Sequence, residues 1–398
     1  MNEGAGQRDS QSAESPELAL LLVLLRWPTA PEAVALRLTA TGPIDWPIFL
    51  ALARRHRVVS LVAATLSKAE MAGVELGAEG AAAAKILRRH ARALAPGSLS
   101  QIAEAVGLTR LLGEVGITCV QLKGAPLSVR AFGQPLLRDG RDIDLLLESR
   151  HLARADALLA SAGYRRLKPG AGFGWWSQAL YRRYSHEYVF AAPSGVVVEL
   201  KTRLQPAAGL LPLSVPDVLA RAAVVEVAGT RLATLGDADM MVYLCAHASR
   251  HCWFRLKWLA DIGALLAGPE PANRLMADAD RLGLAVPALE ALRLVHDWLQ
   301  VEVPEDLLAR ARGNRRVTRR QSAVLQAMTQ LGPNGDPFAI PDFARQLERS
   351  EYGLRSNLAY RCALLEWHMM VAGYAAVRAL RPAGSGAKDG RRARTIIN

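Results

Sequence analysis

Cysteine is scarce in this chain of 398 residues. Cys119, Cys245, Cys252 and Cys362 are the four, and they form no even, closely spaced framework. A disulfide-stapled secreted domain is therefore excluded, and a reducing cytoplasm is the expected compartment. Long apolar runs are missing too. The longest early one, Leu18 to Leu25, is far below the roughly 20 residues a helix needs to cross a bilayer, so it reads as a buried helix and no membrane partner is expected. The opening MNEGAGQRDSQSAES has neither a cationic nor an apolar signal region.

Acidic residues are also in deficit, 37 against 49 Lys and Arg, for a net charge of +12. Part of that excess is concentrated. The tail RPAGSGAKDGRRARTIIN has five basic residues against Asp389, and RARGNRRVTRR (310–320) has six arginines and no acid. Both clusters have the charge to meet nucleic acid or polyphosphate, although an arginine-rich proteome produces the same surface. Neither cluster is interleaved with aromatic residues, which weighs against stacking on single strands.

About half of the chain is apolar (51%), ample for a large core and for two or three subdomains. Residues 1–16 are polar and expected to be disordered, as is the basic tail 381–398. Helical periodicity dominates 17–97, with Pro31, Pro43 and Pro47 as punctuation. After APGSLS a fresh helix is expected over Gln101–Glu114, stopped by Gly116. The pattern then changes to β-rich runs: ITCVQL (117–122), DIDLLL (142–147), EYVFAA (187–192) and VVVEL (196–200), with a helix in HLARADALLASAGY ending at Gly163. From Asp237 to about Leu380 the periodicity is helical again. The expected fold is α+β: a small mixed β-sheet core over 98–236, flanked by N- and C-terminal helical regions (17–97 and 237–380).

Two aspartates enter DIDLLL. In a strand, alternate residues share a face, so Asp142 and Asp144 stand side by side while Ile143, Leu145 and Leu147 point to the core. Their mutual repulsion is costly unless a cation neutralises it, and hard oxygen ligands suit Mg²⁺. By the same alternation Val197, Glu199 and Lys201 share one face of their strand. Three carboxylates on neighbouring strands have the composition of a two-ion phosphoryl-transfer site. Upstream, Lys123 supplies a point charge and Gly124 a turn where backbone can approach phosphate. Arg130, Arg138 and Arg141 add positive charge before the acids.

The order Lys123-Gly124, Arg138, Asp142-Ile143-Asp144 and Glu199-Leu200 resembles the uncharacterised nucleotidyltransferase family of the polymerase-β-type superfamily. DWPIFLALARRHRV (45–58) and HASRHCWFRLKWLADIGALL (247–266) resemble its flanking helical segments. Three features depart from the pattern: Gly124-Ala125 stands where Gly-Gly or Gly-Ser is usual, the spacing to the first acid is long, and Lys201 stands where a histidine commonly follows the third acid. The resemblance implies a nucleotidyltransferase core that moves a nucleoside monophosphate from a triphosphate such as ATP to an acceptor. It implies that Asp142, Asp144 and Glu199 are catalytic and bind two Mg²⁺ ions (Mn²⁺ as a substitute), Glu199 also helping to deprotonate the acceptor. Lys123, Gly124, Arg138 and Lys201 would attend the nucleotide. The competing role for Arg138 is an ion pair with Asp139 or a neighbouring acid, and for Glu199 an exposed strand position.

Cys245, His247, His251 and Cys252 are zinc-ligand types, but on one helix His247 lies about 200° from Cys245, so four ligands cannot converge. His247, His251 and Trp258 are instead expected as a packed stripe facing the catalytic core, with His251 as a candidate substrate contact. Two rival functions use the same residues: a non-catalytic nucleic-acid-binding scaffold, and kinase-like transfer of the γ-phosphate.

Overall fold

The structure is a computed structural model that describes residues 15–169, 181, 185–207, 209–266, 269–329, 349–355 and 357–379. The basic tail 381–398 and residues 1–14 lie outside the described residues. Ser15 and Pro16, expected within the disordered segment, instead begin a helix: Ser15 Oγ accepts the Leu18 N–H, and Pro16 occupies the first helical turn, where its missing N–H costs nothing.

The N-terminal helices are α1 (Pro16–Leu24), α2 (Pro31–Ala40), α3 (Trp46–Arg55), α4 (Val59–Met71) and α5 (Gly77–Glu114). The break expected at Pro96 does not occur. α5 runs through it for 38 residues, so the expected boundary between 97 and 98 falls inside one helix. Proline removes a single intrahelical bond. Arg92 to Pro96 is partly exposed, where water can satisfy the freed carbonyl, and the buried residues Ile102, Ala105, Leu108 and Leu112 hold the second half down.

One mixed sheet follows. Its strands are β1 (Cys119–Gln121), β2 (Asp142–Leu147), β3 (Arg165–Lys168), β4 (Glu187–Ala191), β5 (Val197–Lys201), β6 (Ala223–Val227) and β7 (Thr230–Thr234), in the spatial order β3-β4-β5-β2-β1-β7-β6. Between them lie α6 (Ala125–Phe132), α7 (Leu152–Ser161) and α8 (Val215–Ala220). β2 pairs antiparallel with β1 and parallel with β5, and β5 pairs antiparallel with β4. β3, β6 and β7 were not expected from the sequence. RRLK is too charged to read as a strand, and the β6–β7 hairpin turns on Ala228 and Gly229, both at positive φ, without the Asn-Gly signal that usually announces such a turn.

Period-two alternation divides the sheet. On one face Ile143, Leu145, Leu147, Val198, Leu200, Tyr188 and Phe190 pack under α5 and α7 as a dry cluster. Each such side chain contributes about 1.5–3 kcal/mol by burial, and truncating Leu145 to Ala would cost about 2–5 kcal/mol. The other face holds the acids and meets helices α9 (Asp237–Arg250) and α10 (Leu256–Leu265). Beyond them are α11 (Pro269–Leu282), α12 (Ala285–Leu299), α13 (Glu305–Gly313), α14 (Arg315–Thr329) and α15 (Leu358–Ala379).

The two helical regions are not separate bodies. Side chains of α1, α3, α4, α9, α10, α12 and α14 belong to one continuous buried cluster. Arg55 fastens the seam, donating from Nη1 to Phe254 O (2.8 Å) and from Nη2 to Ala327 O (2.7 Å). His56 Nδ1 accepts the Leu256 N–H at 3.1 Å. A second buried network ties α9, α12 and α14, with Glu290 accepting from Ser249, Trp253 and Arg320.

Candidate active site

The parallel register of β2 and β5 sets Asp144 directly opposite Glu199 and Leu146 opposite Lys201, while β4 brings Glu187 opposite Lys201 from the other side. Paired positions share a face. Asp144, Glu199, Glu187 and Lys201 therefore all project to the α9 side, with Asp142 one step along β2. Glu199 is 7% exposed, so it is no solvated strand position.

Two ammonium groups neutralise the acids. Lys201 Nζ lies 2.8 Å from Asp144 Oδ1, 2.9 Å from Glu199 Oε2 and 3.6 Å from Glu187 Oε2. Lys123 Nζ lies 3.0 Å from the other Asp144 oxygen, Oδ2. The Lys201–Asp144 contact is off the axis of a directed hydrogen bond and is ionic in character. Burial alone would raise the Asp144 carboxyl, but Lys123 and Lys201 hold it well below the usual carboxylate range. Burial would likewise discharge Lys201, and the three surrounding acids keep it charged.

Glu199 goes the other way. Burial, joined by the charges of Glu187, Asp144 and Asp142, outweighs Lys201 and pushes its carboxyl up to about 8. Glu187 opposes its own burial through Lys201 and His186 and falls to about 2. His186 Nε2 lies 3.6 Å from Glu187, but burial brings the imidazole down to about 3, so it is neutral. Neighbouring carboxylates driven apart in this way are a usual mark of acid–base chemistry.

These groups open onto a cavity of about 530 Å³. Its cationic lining includes Arg57, Arg141 and Arg250 beside Lys123 and Lys201, and its aromatic wall includes Tyr243, Phe254 and Trp258. Lys257 also lines it, but burial and the cations around it disfavour its charged form. His247 and His251 stand in that wall as the stripe expected from α9: His251 stacks on Trp258 with centroids 5.5 Å apart, and His247 meets the same ring edge-on at 5.3 Å. Burial and the nearby cations hold both imidazoles neutral, far below their ordinary value. Arg57, His186 and Lys257 were not among the site residues read from the sequence. Arg57 sits in the α3–α4 connection at φ 54°, and only the packing of the N-terminal helices onto the sheet brings it here.

Arg138 lies elsewhere. Its Nε donates to both oxygens of Asp261 at 2.9 and 3.0 Å, the pair is buried, and it does not line the cavity. The structure thus bears out the ion-pair alternative, with Asp261 as the partner. Asp139 caps α4 instead, accepting the Val59 N–H at 3.0 Å. Arg130 is diverted too, to Leu235 O and Asp237. Gly124 turns β1 into α6 at φ 79°; a Cβ there would come within 2.4 Å of Gln121 Nε2, so the turn that aims Lys123 at Asp144 requires glycine.

The acids as arranged do not fit an ion bridging Asp144 and Glu199. Mg²⁺ holds oxygens at about 2.0–2.1 Å. Here both oxygens are set at ammonium distances around Lys201 Nζ, and among the described residues no group of three or more His, Cys, Asp or Glu has metal-holding geometry. Asp142 forms no ion pair among the described residues.

The family model described as an uncharacterised nucleotidyltransferase matches residues 42–300, more than half of the chain. The chain belongs to that family. The match takes in α3 to α12 and so covers every residue of the acidic site just described. No curated protein matches the chain. No described helix is long and apolar enough to cross a membrane.

Proposed function

We infer that the protein transfers a nucleoside monophosphate from a nucleoside triphosphate to an acceptor seated in the same cavity. The single observation that supports this most is that Asp142, Asp144 and Glu199 line one cavity together with cationic and aromatic side chains. The acceptor's oxygen or nitrogen attacks the α-phosphorus, the bond to the β-phosphate oxygen breaks, and pyrophosphate leaves with the electron pair. Glu199, whose carboxyl is raised to about 8, takes the acceptor's proton in its ionised form. Lys123, Arg57 and Arg141 stabilise the charge that gathers on the leaving pyrophosphate. Asp142, which forms no ion pair among the described residues, would meet the magnesium ion of a triphosphate complex, and that ion would supply charge neutralisation at the phosphates. The base lies against the Trp258 and His251 wall, where stacking tolerates any base.

The test is to incubate the protein with each triphosphate and a panel of hydroxyl- and amine-bearing acceptors, reading pyrophosphate release and acceptor mass. A nucleoside-monophosphate adduct with pyrophosphate supports the reading. A phosphate adduct makes the protein a kinase instead, and no turnover together with nucleic-acid binding makes it a scaffold.

A further inference from the structure

The most unusual feature of the site is that an amino group stands where the acids would otherwise share a cation. Lys201 leaves β5 between β2 and β4, and the register that sets Asp144 against Glu199 sets Glu187 against Lys201 itself. Its ammonium is thereby enclosed by three carboxylates at 2.8, 2.9 and 3.6 Å, with the side chain 10% exposed. The remaining oxygen of Asp144 is engaged by Lys123 at 3.0 Å. Both oxygens of the central acid are thus paired ionically with the protein's own cations, and a divalent ion between Asp144 and Glu199 would have to displace Lys201 from a place where three acids hold it.

We propose that Lys201 is a built-in cation that permanently occupies one of the two positions where paired ions would bind, so that the protein uses a single divalent ion, the one carried by the nucleotide at Asp142. Two consequences follow from the charges. The ammonium offsets much of the repulsion among the acids in the empty protein, so the site is preformed without metal. A unit charge replaces a double one beside the α-phosphate, and Lys123, Arg57 and Arg141 supply the balance from the cavity wall.

The proposal rests on the nucleotidyl-transfer reading only for the ion that comes with the nucleotide, and the experiment separates the two. Free Mn²⁺ is counted by electron paramagnetic resonance at submillimolar concentration, first without nucleotide and then with the α,β-methylene analogues of ATP and GTP. Wild type is expected to hold no ion without nucleotide and one with an analogue. Lys201→Met, near in size and uncharged, is expected to hold one more ion than wild type in both arms. Lys201→Ala serves as a second variant should the first not fold, and Lys201→Arg keeps the wild-type count. Adding Glu199→Gln to Lys201→Met should abolish the gained ion, which locates it. Equal counts in wild type and both neutral variants overturn the proposal, as do two ions in wild type with an analogue. Should neither analogue raise the Mn²⁺ count, the nucleotidyl-transfer reading fails, and Lys201 is still judged by the nucleotide-free difference.

Discussion

Asp144 and Glu199 face each other across the parallel pairing of β2 with β5, and the Lys201 ammonium lies between them. Asp142, one step toward the start of β2, has no such partner among the described residues. The two aspartates of one motif therefore have different physical roles, and substitutions should separate them.

Asp144→Asn and Asp142→Asn should both lose triphosphate turnover, but only the first should lose stability. Removing one partner from a buried ion pair costs about 3–5 kcal/mol because the other charge is stranded, and Asp144 is partner to two buried lysines. Asp142→Asn should stay within about 0.5 kcal/mol of wild type. Urea denaturation measures both, and equal stabilities would contradict the ionic cluster.

Glu199→Gln should bind the triphosphate and turn it over slowly. A rate loss on the order of 10², about 3 kcal/mol of barrier, is the scale for removing one transition-state group. Single-turnover kinetics with a separately measured Kd give the split. Wild-type turnover would move the proton acceptor to another group, Glu187 being nearest in register to Lys201.

Arg138 and Arg141 should behave oppositely. Arg138→Ala strands buried Asp261 and should cost about 3–5 kcal/mol of stability. Arg141→Ala, an exposed cavity residue, should leave the urea midpoint unchanged and weaken triphosphate binding. A destabilisation confined to Arg141→Ala would reverse this assignment.

The protein should lose stability as pH falls below the ordinary histidine range. Burial, with Arg55 and Arg255 nearby, holds His56 neutral, and its Nδ1 accepts a backbone N–H. Its folded pKa is thus below the unfolded value of about 6.5, so the unfolded state binds the extra proton. The stabilisation is complete above pH 6.5 and declines as pH drops toward the folded value, by up to about 1.4 kcal/mol per pH unit for this group. His56→Asn should lower stability at pH 8 and flatten that acid slope; an unchanged slope would show that His56 is not the group responsible.

Period-two alternation and helical spacing are properties of neighbouring residues, so the sequence by itself determined the α+β class, the strand carrying Asp142 and Asp144, the shared face of Glu199 and Lys201, and the aromatic stripe of His247, His251 and Trp258. Charged RRLK and the Ala-Gly turn carried too little local signal to mark β3, β6 and β7, and Pro96 marked a break that packing overrode. Which partner each charge takes is not local. Arg138 meets Asp261 from α10, Arg57 reaches the cavity from the α3–α4 connection, and Glu187 joins Lys201, because the two helical regions close over one face of the sheet as a single core. Only that closure removes water from the acids, and without water an ammonium among three carboxylates becomes a fixed part of the site rather than a mobile surface pair.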